Sequence, residues 1–211
     1  MKTDQFIDEL KEKLSARNFE SPRENALLGY PRSSAYAARQ MHPPVKESAV
    51  LMPLFLRKNE WYTVFMQRPD GAGVHSNQIS FPGGKIEEGE DALQAAIRET
   101  FEEVGVKESE LNIIGRLSEL YIPPSHFVVQ PFIGVMNPDP LFIPNEAEVQ
   151  SLIEFPVQAF LQHSIVLEKE IFIPAFNKNI VAKYFDVNGN TLWGATAMMI
   201  QEFRSLFSFE S

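Results

Sequence analysis

Cysteine is absent from the 211 residues, which excludes disulfides, thiolate catalysis and cysteine-held zinc. Positive charge is scarce: 19 Lys and Arg stand against 28 Asp and Glu, for a net charge of −9. A nucleic-acid binder needs a basic footprint, so nucleic acid is excluded as the main partner. A small phosphorylated ligand is not excluded, provided that local cations draw it in. No apolar run is long enough to cross a bilayer, so no membrane partner is expected. Charges interrupt the N-terminal apolar pattern, which argues against a secretory signal, and Phe209-Glu210-Ser211 is no peroxisomal address. These lacks together fit a cytoplasmic location.

The chain is 44% hydrophobic and 22% charged, ordinary for a globular protein with a sizeable core. Phe6, Ile7, Leu10 and Leu14 make an apolar stripe within 1–20, which predicts an amphipathic helix. Pro22, Pro31, Pro43 and Pro44 predict a mostly irregular stretch over 21–48. Residues 1–48 are therefore expected to be an extension packed on a domain spanning 49–211. Ala49–Leu56 and Trp61–Gln67 read as strands joined by a hairpin at Arg57-Lys58-Asn59-Glu60. Further strands are predicted at 78–81, 111–119, 127–136 and 151–155, with a hairpin of 165–173 and 180–186 and a closing helix over 192–207. Strands flanking a central helix imply an α+β fold, a mixed β-sheet sandwiched by helices.

That central helix carries the chemistry. Pro82-Gly83-Gly84 reads as a loop leading to a helix that starts at Asp91, with Gln94 three residues on as a capping box. Gly105 marks its end as a C′ glycine. Leu93, Ala96, Ile97, Thr100 and Val104 recur at helical spacing and should face the core. Glu99, Glu102 and Glu103 stand at i, i+3 and i+4 and should project together from another face. Like charges so placed repel, and a divalent cation reverses the sign, since hard cations seek carboxylate oxygens.

The run Gly84-x5-Glu90-x7-Arg98-Glu99-x2-Glu102-Glu103-x-Gly105 resembles the Nudix box of the Nudix hydrolases at every fixed position. The resemblance implies an α/β/α sandwich and metal-dependent hydrolysis of a nucleoside diphosphate joined to another group. It implies Mg²⁺ or Mn²⁺ as cofactor, with Glu99, Glu102 and Glu103 as metal ligands and catalytic acids. Arg98 would orient a neighbouring glutamate, Glu90 would fix the loop, and Gly84 would let backbone approach metal or phosphate. The general base stays open between a box glutamate and a distant acid, with Glu146 and Glu148 as the distant candidates.

Upstream, Arg68 and Phe81-Pro82-Gly83-Gly84 resemble the motif of coenzyme A pyrophosphatases. Gly73 replaces a second arginine of that motif and Asn77 replaces a glycine. Tyr121-Ile122-Pro123-Pro124-Ser125 and Trp193-Gly194-Ala195-Thr196 are similar to the same subgroup. The implied partner is a CoA-type nucleotide, with Arg68, Gly83, Gly84 and Lys85 as substrate-binding candidates. The products would be 3′,5′-ADP and 4′-phosphopantetheine or its acyl form. NADH, ADP-ribose or a nucleotide sugar is the alternative substrate, and a non-catalytic ligand-binding module the remaining reading. A homodimer is one assembly open to such a chain.

Overall fold

A computed structural model describes residues 3–16, 33–71, 77–162, 166–173 and 177–207. Much of the expected irregular stretch, and Gly73, therefore lie outside the described residues.

Strand β1 (Lys46–Arg57) is the axis of the fold. Its apolar run is nearly continuous because both of its faces are covered. Ala49 and Leu51 meet one layer, while Met52 and Leu54 meet the other. Strand β2 (Glu60–Gln67) returns antiparallel to it, with Leu54 opposite Thr63. The turn between them has positive φ at Lys58 (50°) and Asn59 (66°). Two such residues make the mirror-image turn whose twist suits a two-residue hairpin.

Strands β3 (Ile79–Ser80), β4 (Gly83–Lys85), β5 (Leu111–Arg116), β6 (Leu120–Ile122), β7 (Phe127–Met136) and β8 (Ser151–Pro156) complete an eight-stranded sheet. It is mixed: β1 runs parallel to β7 and its other pairings are antiparallel. The Gly83-Gly84 segment, expected as loop, is strand β4, with Gly83 opposite Val50 and Gly84 opposite Ala49. Two glycines hide this from a propensity argument, because they are poor strand formers. Here they let the backbone come close under its neighbours.

β4 and β2 share one edge of β1. β4 covers Ser48–Val50 and β2 begins at Leu54. Buried Pro53 falls in the interval between them. Leu51 N–H donates to Pro82 on that edge, and two residues on the Pro53 nitrogen points the same way.

Helix α3 (Ala92–Val104) lies on one face, with Ala95 and Ala96 against Ala49 and Leu51. On the other face lie α1 (Thr3–Ser15), α4 (Val157–Phe160) and α5 (Gly194–Ser205), with Phe6, Leu10, Phe160, Ile200 and Phe203 in the main core. Short α2 (Ala35–Ala38) packs on Tyr121 and Val128. The layers form the expected sandwich around a mixed sheet. A second, three-stranded antiparallel sheet orders β11 (Asn190–Leu192), β10 (Lys178–Val187) and β9 (Val166–Ile173). Among the described residues no helix is long and apolar enough to cross a membrane.

Candidate active site

Helix α3 is fixed at both ends by the devices its sequence announces. The Asp91 side chain accepts from Gln94 N–H and the Gln94 side chain accepts from Asp91 N–H. Gly105 closes it at φ 78°, where Cβ-free backbone is unstrained. The buried stripe is rotated from the expected one: Ala95, Ala96, Thr100, Glu103 and Val104 are buried, while Leu93 and Ile97 are partly exposed. The reason is close approach. Alanines bring the helix axis near the sheet, and the turn above them then carries Glu99 and Glu103 inward. Thr100, an odd choice for a packing position, satisfies its hydroxyl by donating to Ala96 C=O.

The three box glutamates thus part company. Glu103 is 1% exposed; its carboxylate accepts from Gly83 N–H at 2.8 Å and faces the Arg68 guanidinium at 3.3 Å. Glu99 lies against Gly84, where any Cβ would stand 2.3 Å from its carboxylate carbon. Glu102 points further out and pairs with Arg98 at 3.0 Å. Among the described residues no three acidic or histidine side chains stand as a ready-made cation cage.

Arg98 organises this array. It grips Glu90 with two nitrogens (3.0 and 2.8 Å), donates to Glu99 and Glu102, and reaches Lys85 C=O. Glu90 in turn accepts from Glu87 N–H and so pins the loop before the helix. Its carboxyl is held below the ordinary range, chiefly by Arg98. A lysine ammonium lacks the planar fork that grips Glu90 with two nitrogens while also reaching Glu99 and Glu102. Arg98→Lys is therefore expected to lower kcat about 10–100-fold with KM little changed. Steady-state kinetics checks this, and an unchanged kcat would remove Arg98 from the site.

Burial pushes the Glu103 carboxyl up to about 7, with Glu99 and Glu148 adding to the push and Arg68 opposing it. Glu99 is also raised, again chiefly by burial. The folded chain consequently holds the Glu103 proton more tightly than the unfolded chain does. The stability so gained is full below the unperturbed value of 4.5 and is lost as pH climbs through about 7. Metal-free protein is expected to melt at a lower temperature at pH 8 than at pH 5.5. Calorimetry in chelator tests this, and a flat profile would count against it.

Glu148 comes from the segment after β7. That segment is tied to α3, because Asn145 N–H donates to Glu103 C=O and Ile143 N–H to Val104 C=O. Glu148 is exposed, with Asn145 Nδ2 at 3.4 Å, and lines a cavity of about 840 Å³. Glu146 is exposed and does not line it. Arg68, Gly83, Gly84 and Lys85 are lining residues too. So are Phe172, Trp193 and Met199, and the reading of the sequence assigned none of these three to a site.

A buried acid of α3 against a glycine strand, an arginine-laced acidic helix and an open cavity are parts that a metal-assisted, phosphate-handling hydrolase would use. The NUDIX domain family matches residues 45–176, and the chain belongs to the Nudix family. It is a Nudix pyrophosphohydrolase. An uncharacterised Nudix hydrolase, NudL of Yersinia enterocolitica, is 28% identical over 200 residues, covering 94% of this chain and 95% of its own. NudL of Yersinia pestis is 29% identical over 157 residues, covering 74% and 77%. A MutT/nudix family protein from Enterococcus faecalis superposes with TM-score 0.51 over 98% of this chain and 75% of its own at 12% identity, a likeness of fold. Nudix hydrolases generally need divalent metal ions. The donors here fit one: they are carboxylate oxygens, two of them inward-facing with raised pKa, beside a glycine that leaves the space open.

Proposed function

We propose that the protein hydrolyses the diphosphate bond of coenzyme A or an acyl-CoA, giving 3′,5′-ADP and 4′-phosphopantetheine or its acyl form. The reading rests most on the placement of Glu103 and Glu99 behind Gly83 and Gly84, the two glycines that line a cavity large enough for a nucleotide with a long substituent. Mg²⁺ or Mn²⁺ would be held by Glu99 and Glu103 with Glu102, and would neutralise the diphosphate and acidify the attacking water. Water attacks one phosphorus, the bridging P–O bond breaks, and the water proton passes to a base, for which Glu148 is the candidate. Arg68, donating to Gly83 C=O, and Lys85 supply positive charge beside the anion.

The departure from the motif at Asn77 is compatible with the CoA subgroup. Asn77 has φ 57°, in the left-handed region where glycine is at ease and asparagine is the best-tolerated substitute. The residue differs from the subgroup motif, yet the backbone conformation a glycine would serve is kept. Gly73 in place of arginine favours the second reading, a diphosphate without a 3′-phosphate such as NADH or ADP-ribose.

The deciding experiment incubates the protein with Mg²⁺ or Mn²⁺ and equal concentrations of CoA, acetyl-CoA, NADH, ADP-ribose and ADP-glucose, with products identified by mass spectrometry. The expected result is that 3′,5′-ADP forms fastest. Predominant AMP from NADH or ADP-ribose would replace the CoA reading with the second.

A further inference from the structure

Glu148 is an exposed side chain on an exposed turn, so burial does not fix where it points. The turn itself is held, and Asn145 holds it. Asn145 N–H donates to Glu103 C=O at 2.9 Å, which ties the turn to the last residues of α3. Asn145 C=O accepts from Glu148 N–H at 3.0 Å and from Val149 N–H at 2.8 Å. Beyond buried Val149, Gln150 N–H donates to Gln67 C=O and seats the far end on β2. The backbone of Glu148 is thereby strung between the acidic helix and the sheet.

The Asn145 side chain uses both of its ends. Its Oδ1 accepts from Ala147 N–H at 3.1 Å, a bond two residues ahead that closes the turn. A backbone N–H can only donate, so the oxygen of the amide is the end that must meet it. Nδ2 then faces Glu148 Oε1 at 3.4 Å. That contact is long, and its effect is on direction: a donor on one side of an exposed carboxylate favours the rotamer that faces it. Aspartate or serine could also close such a turn, but neither brings an amide donor to Glu148.

Glu148 stands near enough to the acids of α3 for its charge to reach them. Burial is the main cause that raises the carboxyls of Glu99 and Glu103, and Glu148 adds to the rise in both. It also lines the same cavity as Gly83 and Gly84, behind which those two acids sit.

We infer that Asn145 is a positioning residue for the hydrolysis, coupling the Glu148 carboxylate to the main chain of Glu103 so that candidate base and candidate metal ligand keep one geometry. Asn145 acts through Glu148, and the inference rests on the reading of Glu148 as the base.

A double-mutant cycle tests it. kcat and KM are measured with Mg²⁺ for wild type, Asn145→Ala, Glu148→Gln and the double variant, on whichever of the five substrates above wild type turns over fastest. Glu148→Gln should lower kcat about 100-fold or more. Asn145→Ala should lower kcat about tenfold with KM within about twofold. Once Glu148 is replaced, the same change should cost under about twofold. Asn145→Ser, whose one hydroxyl can still accept from Ala147 N–H, should lose as much kcat as Asn145→Ala while melting close to wild type. A tenfold loss that persists in the Glu148→Gln background, or wild-type kcat in Asn145→Ala, overturns this inference and leaves the base reading standing. Wild-type kcat in Glu148→Gln overturns both.

Discussion

Glu103→Gln is expected to lower kcat by about 10³-fold and, at pH 8 without metal, to raise the melting temperature. Both effects come from one buried carboxylate. Gln matches Glu in shape, and its carbonyl oxygen can still accept from Gly83 N–H, the 2.8 Å bond that seats the side chain. The fold should therefore survive. What disappears is negative charge that burial and the neighbouring Glu99 and Glu148 already disfavour. On the proposed reading this charge, already faced by Arg68, serves a bound divalent cation. Removing the charge should then relieve the metal-free fold and disable the metal-dependent reaction. Kinetics with Mg²⁺ and calorimetry in chelator read the two effects. Activity within tenfold of wild type would show that Glu103 is only a strut for the glycine strand.

Gly83→Ala should bring the largest loss of stability. The added Cβ would stand 2.3 Å from Ala49 C=O oxygen and 2.5 Å from Val50 Cα. These are backbone atoms of the central strand, so no rotamer change can relieve the contact. The φ of 150° adds strain for any L side chain. A cost of about 3 kcal/mol or more is expected, or roughly 10 °C in Tm for a chain of this size. Gly71→Ala is the control: it has open space around its Cβ position and no positive φ, and should change Tm by under about 2 °C. Equal effects at the two positions would mean that β4 is not seated under β1 as described.

How far the sequence discloses this site depends on the range of the interactions involved. The Asp91–Gln94 box, the Gly105 cap and the Lys58-Asn59 turn are local devices, written in a few adjacent residues and recovered there. The inward face of α3 is different. Periodicity places Leu93 on the core and groups the glutamates outside it, because it weighs hydrophobicity and not the distance between helix and sheet. Ala95 and Ala96 set that distance, and only packing shows that Glu103 follows them inward. The strand character of Gly83-Gly84 depends on β1, a partner some 35 residues earlier. That Trp193 and Phe172 line one cavity depends on a second sheet whose pairing the hairpin pattern suggests but whose position against the first it does not.

Pro53 deserves its place at the centre of the sheet for a reason that concerns redesign. Two strands occupy the same side of β1 in turn, and between them lies one buried position with no acceptor assigned to it by either pairing. A valine or isoleucine, favoured there by any ranking of strand formers, would introduce an amide proton to which neither pairing assigns an acceptor. Burying such a donor costs about 1–3 kcal/mol. The residue generally treated as a sheet breaker thus sits where this sheet divides, one branch leading to Gly83 and Gly84 and the other to the hairpin. An engineer raising β-propensity along β1 should leave that position alone.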